Sequence, residues 1–169
     1  RAFLDPETGN NPNNLLSNFD PQPGWRLSIG PGQAVATPIA PMIVCHHGMP
    51  RYALGMPGGL RIFPSVFQAI VNLVDHGMSL QAAVEAPRLW TQGQEIELEP
   101  GYAPASAALA DMGYDVREKP HIGGGMNAIA FHADRMMEGA ACWRAGGCAM
   151  GRGGGPRRAG VRVWRGPAA

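Results

Sequence analysis

Two adjacent glycines, Gly58 and Gly59, close the run Gly55-Met56-Pro57-Gly58-Gly59 and lead straight into the apolar-periodic stretch from Leu60 to His76. Backbone N–H groups in a glycine turn and in the first turn of a helix have no intrahelical acceptor. Together they can hold a carboxylate, a phosphate or the oxyanion of a tetrahedral intermediate. The same pattern also serves as a plain tight connection, since glycine is the default wherever φ must be positive. Such a turn stabilises charge but supplies no attacking group. The chain has no Gly-x-Ser-x-Gly elbow, no Walker sequence and no dinucleotide fingerprint.

The other polar groups read more plainly. His46, His47, His76, His121 and His132 include no i, i+4 pair on a helix and no carboxylate at ligand spacing, so neither a metal nor a cofactor is expected. Asp75 and His76 are neighbours on a helix, where side chains diverge by about 100° and cannot form a dyad. His76 suits the helix C-terminus instead. Asp20, Glu95, Glu97 and Glu99 could be paired acids, but Glu95-x-Glu97-x-Glu99 alternates as the exposed face of a strand does, and no catalysis is assigned to it. Cys45, Cys142 and Cys148 are odd in number and lack a C-x-x-C pair, which reads as packed thiols.

The elements that must position the glycine turn are short. With 24 glycines and 16 prolines in 169 residues, turns and loops separate every regular segment, in a mixed α and β order. Residues 5–32 form a long surface or lid segment. Ile39 to Cys45 and Arg51 to Leu54 make a hairpin about His46-His47-Gly48-Met49-Pro50. Val66, Phe67, Ile70, Val71 and Val74 draw an apolar stripe on a helix over 64–76 that opens near Pro64 and stops at Gly77. Ser79 caps a second helix ending near Ala86, before Pro87. Ala105 to Met112 is a third. Asn127 to His132 and Met137 to Trp143 form a second hairpin of buried, Ala-rich strands. The Gly/Arg/Pro-rich residues 146–169 are expected to be a flexible tail following a body at 1–145.

A net charge of +1 argues against a nucleic-acid-binding surface, and the apolar runs are far shorter than the roughly 20 residues of a membrane span.

Asn13-Asn14, then Phe19-Asp20-Pro21-Gln22-Pro23-Gly24, Ile29-Gly30-Pro31-Gly32, Ala40-Pro41-Met42-Ile43, Gly55-Met56-Pro57-Gly58-Gly59, Asp75-His76-Gly77-Met78 and Glu85-Ala86-Pro87-Arg88 resemble, in order, the small subunit of gamma-glutamyltransferases. The resemblance covers roughly residues 13–145. It implies an α+β chain: part of the four-layer αββα fold of N-terminal nucleophile hydrolases, an antiparallel sheet with packed helices. It also implies a self-cleaving precursor whose new N-terminal threonine attacks an amide, its own α-amino group serving as base.

That threonine should lie some tens of residues upstream of Asn13, and nothing in Arg1 to Pro12 resembles its surroundings, so this chain alone would lack the nucleophile. Partners would be the upstream segment or large subunit of the same precursor and a small amide or gamma-glutamyl-like substrate. Any targeting signal would also lie upstream.

Residue by residue, the resemblance places the oxyanion donors at Gly58 and Gly59. The acidic positions that hold a substrate α-amino group fall on Leu15 and Asn18, and the serine pair that binds its α-carboxylate falls on Thr37 and Pro38. Neither Leu15 nor Asn18 carries charge, and Pro38 cannot donate. An unpaired charged ligand group costs a few kcal/mol, so the pattern favours an amidase or acylase with a more apolar acyl group. Arg61 and Arg88 could meet a substrate carboxylate, though Arg88 suits a structural ion pair better. Two further readings stand beside this one: a non-catalytic module binding small anions at the glycine turn, or a degenerate truncated product.

Overall fold

Strand β1 (Met42–His46) turns through His47 and Gly48 into β2 (Met49–Gly55), the hairpin expected from the sequence, with a register shift between Val44 and Cys45. In this computed structural model, residues 6–9, 15–93, 95–150 and 162–165 are described, the last four and Ala103 by backbone alone. They divide into two units, Arg1–Pro38 and Ile39–Ala169.

The first unit is turn-rich. Its described part holds one 3₁₀ turn, Leu15–Asn18, and a loop closed by an isolated bridge between Asp20 and Ser28. Side chains stand in for a ladder there: Asp20 Oδ1 accepts from the Gln22 N–H at 2.9 Å, and Ser28 Oγ accepts from the Trp25 N–H at 2.8 Å.

In the second unit β2 runs into a 3₁₀ turn, Gly59–Arg61, and then helix α1 (Ile62–Val74). Ser79 caps α2 (Leu80–Glu85), its hydroxyl accepting from the Ala82 N–H at 3.3 Å. Then follow β3 (Leu89–Thr91), β4 (Glu95–Leu98), α3 (Ala103–Asp111), β5 (Asp115–Glu118), β6 (Asn127–Phe131), β7 (Met136–Ala141) and β8 (Arg162–Arg165). One antiparallel sheet has the order β1-β2-β6-β7-β8. A smaller sheet, β3-β4-β5, pairs β4 and β5 in parallel, and α3 makes the crossover that such a pair requires. Strand β8 lies inside the stretch expected to be a loose tail; the rest of that stretch beyond residue 150 is outside the described residues.

The core lies between α1, α2 and one face of the large sheet. Ala128, Ala130 and Ala140 keep the sheet surface flat, so that Val66, Ala69, Leu73, Leu80, Ala83 and Val84 settle on it. Helix α1 does not bury the stripe drawn from its sequence. It is apolar on two sides, and packing selects Ile62, Val66, Ala69 and Leu73, leaving Phe67 and Val74 exposed. No helix among the described residues is long and apolar enough to cross a membrane.

Candidate active site

The turn between β2 and α1 is built by backbone. Gly58 takes φ 152° and Gly59 φ 60°, conformations that disfavour any side chain. At Gly58 a Cβ would also lie 3.2 Å from both Gly123 Cα and Gly124 N, whereas at Gly59 it would meet open space. The Arg61 N–H closes the turn on Gly58 C=O at 3.2 Å, and Ile62 N–H bonds Gly59 C=O. The N–H groups of Gly58 and Gly59 donate to no acceptor among the described residues. Two adjacent donors thus stand in the 3₁₀ turn that leads into the 13-residue helix α1, an arrangement able to hold an anion.

Both ends of the turn are anchored. At its far end Arg61 gives Nε and Nη2 to Glu97 Oε2 at 3.0 and 2.7 Å and stacks 3.9 Å over the Trp90 ring. Lys119 Nζ lies 3.7 Å from the other Glu97 oxygen. At its near end the Gly124 N–H donates to Pro57 C=O at 3.0 Å.

Behind that contact lies a buried polar network. Glu99 accepts from the N–H of Ile122 at 2.6 Å, from the N–H of Arg88 at 3.0 Å and from Arg144 Nε at 2.8 Å, with a second, short bond from Arg144 Nη2. Arg144 also reaches Ala86 C=O at 2.8 Å. Arg88 Nη1 reaches the carbonyls of Ile122 and Gly124 at 3.0 and 2.9 Å. Burial, then repulsion by Arg144, draws the Arg88 guanidinium below its usual range; burial opposes the Arg144 charge most, but the bond to Glu99, the Glu99 charge and the Cys142 sulfur together raise that group. Cys142 Sγ accepts the Met126 N–H at 3.1 Å. Burial pushes this thiol up, yet the N–H donors and the neighbouring guanidinium groups prevail and hold it below the ordinary range.

Three expectations fail here. Glu97 and Glu99 are buried rather than lining an exposed strand face, because each neutralises an arginine brought from a distant part of the chain. Cys45 and Cys148 are exposed, and only Cys142 is packed. Arg88 is buried as a structural residue, but it bonds mainly to carbonyls. Glu99, Arg144 and the Gly123-Gly124 loop had no local signal, since the groups that meet Glu99 lie 11, 23 and 45 residues away and Arg88 reaches the loop across 34 and 36 residues.

The remaining candidates lie in the first unit. Leu15 opens the 3₁₀ turn and Asn18 ends it. Asn18 Nδ2 donates to Ala36 C=O at 3.2 Å, which brings Asn18 beside the chain that leads to Thr37 and Pro38.

A statistical description of the gamma-glutamyltranspeptidase family matches residues 2–151. The chain belongs to the gamma-glutamyltranspeptidase family. Among its relatives, the Acylase ACY 1 proenzyme of Pseudomonas sp. (strain SE83) is 55% identical over 158 residues, 93% of this chain and 28% of the relative. The glutathione hydrolase proenzyme of Bacillus subtilis (strain 168) is 30% identical over 153 residues, 89% of this chain and 26% of the relative. The chain therefore spans little more than a quarter of the length of these relatives. Among solved structures, a gamma-glutamyltranspeptidase from Pseudomonas nitroreducens complexed with L-DON superposes with a TM-score of 0.75 at 27% identity, covering 88% of this chain and 84% of that one. The gamma-glutamyltranspeptidase fold is thus that of an N-terminal nucleophile hydrolase, α+β in class, as the sequence motifs implied.

Proposed function

We propose that these residues belong to an acylase-like amidohydrolase of the gamma-glutamyltranspeptidase family that works through a threonyl acyl-enzyme. The observation that carries this reading is the pair of N–H donors at Gly58 and Gly59, unengaged by described residues, in the 3₁₀ turn that leads into α1. The attacking hydroxyl would come from a threonine upstream of Asn13 in a self-cleaved precursor. Its oxygen bonds to the amide carbon, the carbonyl π electrons move onto oxygen, and the glycine N–H groups take up that charge. The threonine's own α-amino group takes the hydroxyl proton in that attack and hands it to the leaving nitrogen as collapse breaks the C–N bond and releases the amine; water then cleaves the ester, freeing the acid and restoring the hydroxyl.

The acyl group in this reading lacks an α-ammonium. Leu15 and Asn18 offer no negative charge to pair with one, and the greater identity to an acylase than to a glutathione hydrolase points the same way. Thr37 retains a hydroxyl for an acyl carboxylate. The test uses the complete, processed protein with glutaryl-p-nitroanilide and gamma-glutamyl-p-nitroanilide, which differ only in the α-amino group. Faster release of nitroaniline from the glutaryl compound is expected. Inertness toward both, and toward a wider amide panel, overturns the reading.

A further inference from the structure

The Pro57–Gly58 peptide is the unit whose N–H would face an oxyanion, and its orientation is set from the other side. Its carbonyl accepts the Gly124 N–H at 3.0 Å. All described peptide bonds are trans, so pinning that C=O toward Gly124 turns the Gly58 N–H the opposite way, away from the glycine loop. Gly124 can perform this only if its own peptide is held. A loop of three consecutive glycines, Gly123 to Gly125, has the least intrinsic conformational preference of any sequence and must be fixed by outside contacts.

Those contacts converge on one side chain. Arg88 Nη1 donates to Ile122 C=O at 3.0 Å and to Gly124 C=O at 2.9 Å, the two carbonyls that flank the Gly123–Gly124 peptide. Glu99 takes the Ile122 N–H at 2.6 Å and the Arg88 backbone N–H at 3.0 Å, so Ile122 is gripped at both its N–H and its C=O. Arg88 is 2% exposed. Both bonds leave one nitrogen, whose two N–H vectors are fixed in the guanidinium plane while Nη2 faces Val84 C=O at 3.4 Å and Cys142 Sγ at 3.8 Å. A lysine ammonium has donors enough for the two carbonyls, but its flexible stem does not hold them in that plane and it leaves the Nη2 contacts unmade.

The geometry points to Arg88 as a positioning residue for the oxyanion donor: it fixes the Gly123–Gly124 peptide, which fixes the Pro57–Gly58 peptide and aims the Gly58 N–H. It touches no substrate. The kinetic part of this inference rests on the amide-hydrolase reading; the structural part does not.

The test compares wild type, Arg88→Lys and Gly124→Ala in the complete, processed protein. Gly124→Ala leaves Arg88 in place but sets a Cβ 2.7 Å from Pro57 O, so it probes the same relay should Arg88→Lys fail to fold. With glutaryl-p-nitroanilide, kcat is expected to fall about 10- to 100-fold in each variant while KM stays within about twofold, the split produced by losing an interaction made only in the transition state. Hydrogen exchange is expected to quicken at least about threefold over residues 55–61 and to stay unchanged over 66–74 of α1.

Unchanged kcat in a folded variant overturns the inference, as does a parallel change in KM, kcat and exchange throughout the protein. If wild type hydrolyses no amide, the amidohydrolase reading falls on its own, and exchange over 55–61 still decides whether Arg88 orients this peptide: faster exchange there supports the relay, and none refutes it.

Discussion

Glu99 and Arg144, 45 residues apart in sequence, meet in the interior of the second unit, with Arg144 Nε 2.8 Å from the Glu99 carboxylate and the two side chains 3% and 0% exposed. A charge pair so far from water is retained only when its remaining hydrogen-bonding capacity is met. Here the N–H groups of Ile122 and Arg88 complete the carboxylate, and backbone carbonyls complete the guanidinium. Burial and then the Glu99 charge push the neighbouring Tyr102 hydroxyl up.

Removing the charge at Glu99 therefore strands Arg144. Glu99→Gln is expected to destabilise the protein by about 3–5 kcal/mol, the range for breaking one side of a buried pair, whereas Glu95→Gln should change stability by less than about 0.5 kcal/mol because, among the described residues, the Glu95 carboxylate pairs with the exposed Arg117, at 4.0 Å. Denaturant titration of the two variants measures this contrast. Equal midpoints would contradict the network described for Glu99.

The two glycines of the turn should respond differently. Gly58→Ala must absorb both the unusual φ of 152° and a backbone contact at 3.2 Å, so amide hydrolysis should fall at least about tenfold in kcat. Gly59→Asn meets only the left-handed conformation at φ 60°, which asparagine tolerates at about 1 kcal/mol, and open space beyond. Steady-state kinetics on both variants would expose the error if Gly58→Ala kept full activity.

Acyl selectivity should follow charge at the 3₁₀ turn of the first unit. Leu15→Asp is expected to shift the ratio of gamma-glutamyl to glutaryl hydrolysis upward by about 10- to 100-fold, by supplying a partner for the α-ammonium. Asn18→Asp should do less, because it replaces the Nδ2 donor to Ala36 C=O with a repelling oxygen. Competition between the two anilides reads the ratio directly, and no shift in Leu15→Asp would remove that residue from the acyl-binding set.

Stability should depend on pH through Cys142. Its folded-state pKa is depressed below the unfolded value of about 8.5, so the thiolate contributes stability in full above that value and loses it as pH falls through the folded pKa. The melting temperature of wild type minus that of Cys142→Ser is accordingly expected to grow as pH rises toward about 9. A difference that is flat across that window would show that the thiol titrates alike in both states.

Much of this was legible in local sequence. Turn chemistry placed the hairpin turn within His46-His47-Gly48-Met49-Pro50, which the structure tightens to His47-Gly48, and stopped α1 before Gly77, and Ser79 announced the cap of α2. The ordered motifs from Asn13 to Arg88 carried the family, and Gly58-Gly59 marked the turn before α1, because both are written in contiguous residues whose backbone preferences act over a few positions.

Tertiary structure decided the rest. Glu95, Glu97 and Glu99 alternate identically in sequence, yet two are buried against arginines and one is not. Helix α1 offers two apolar sides, and the flat alanine surface of β6 and β7 chooses Val66 and Leu73 over Phe67 and Val74. The grip of Arg88 on Ile122 and Gly124 spans 34 and 36 residues. Periodicity reports which residues can share a face. Which face is desolvated, and which charges are brought close enough to neutralise one another there, depends on what the distant chain packs against it.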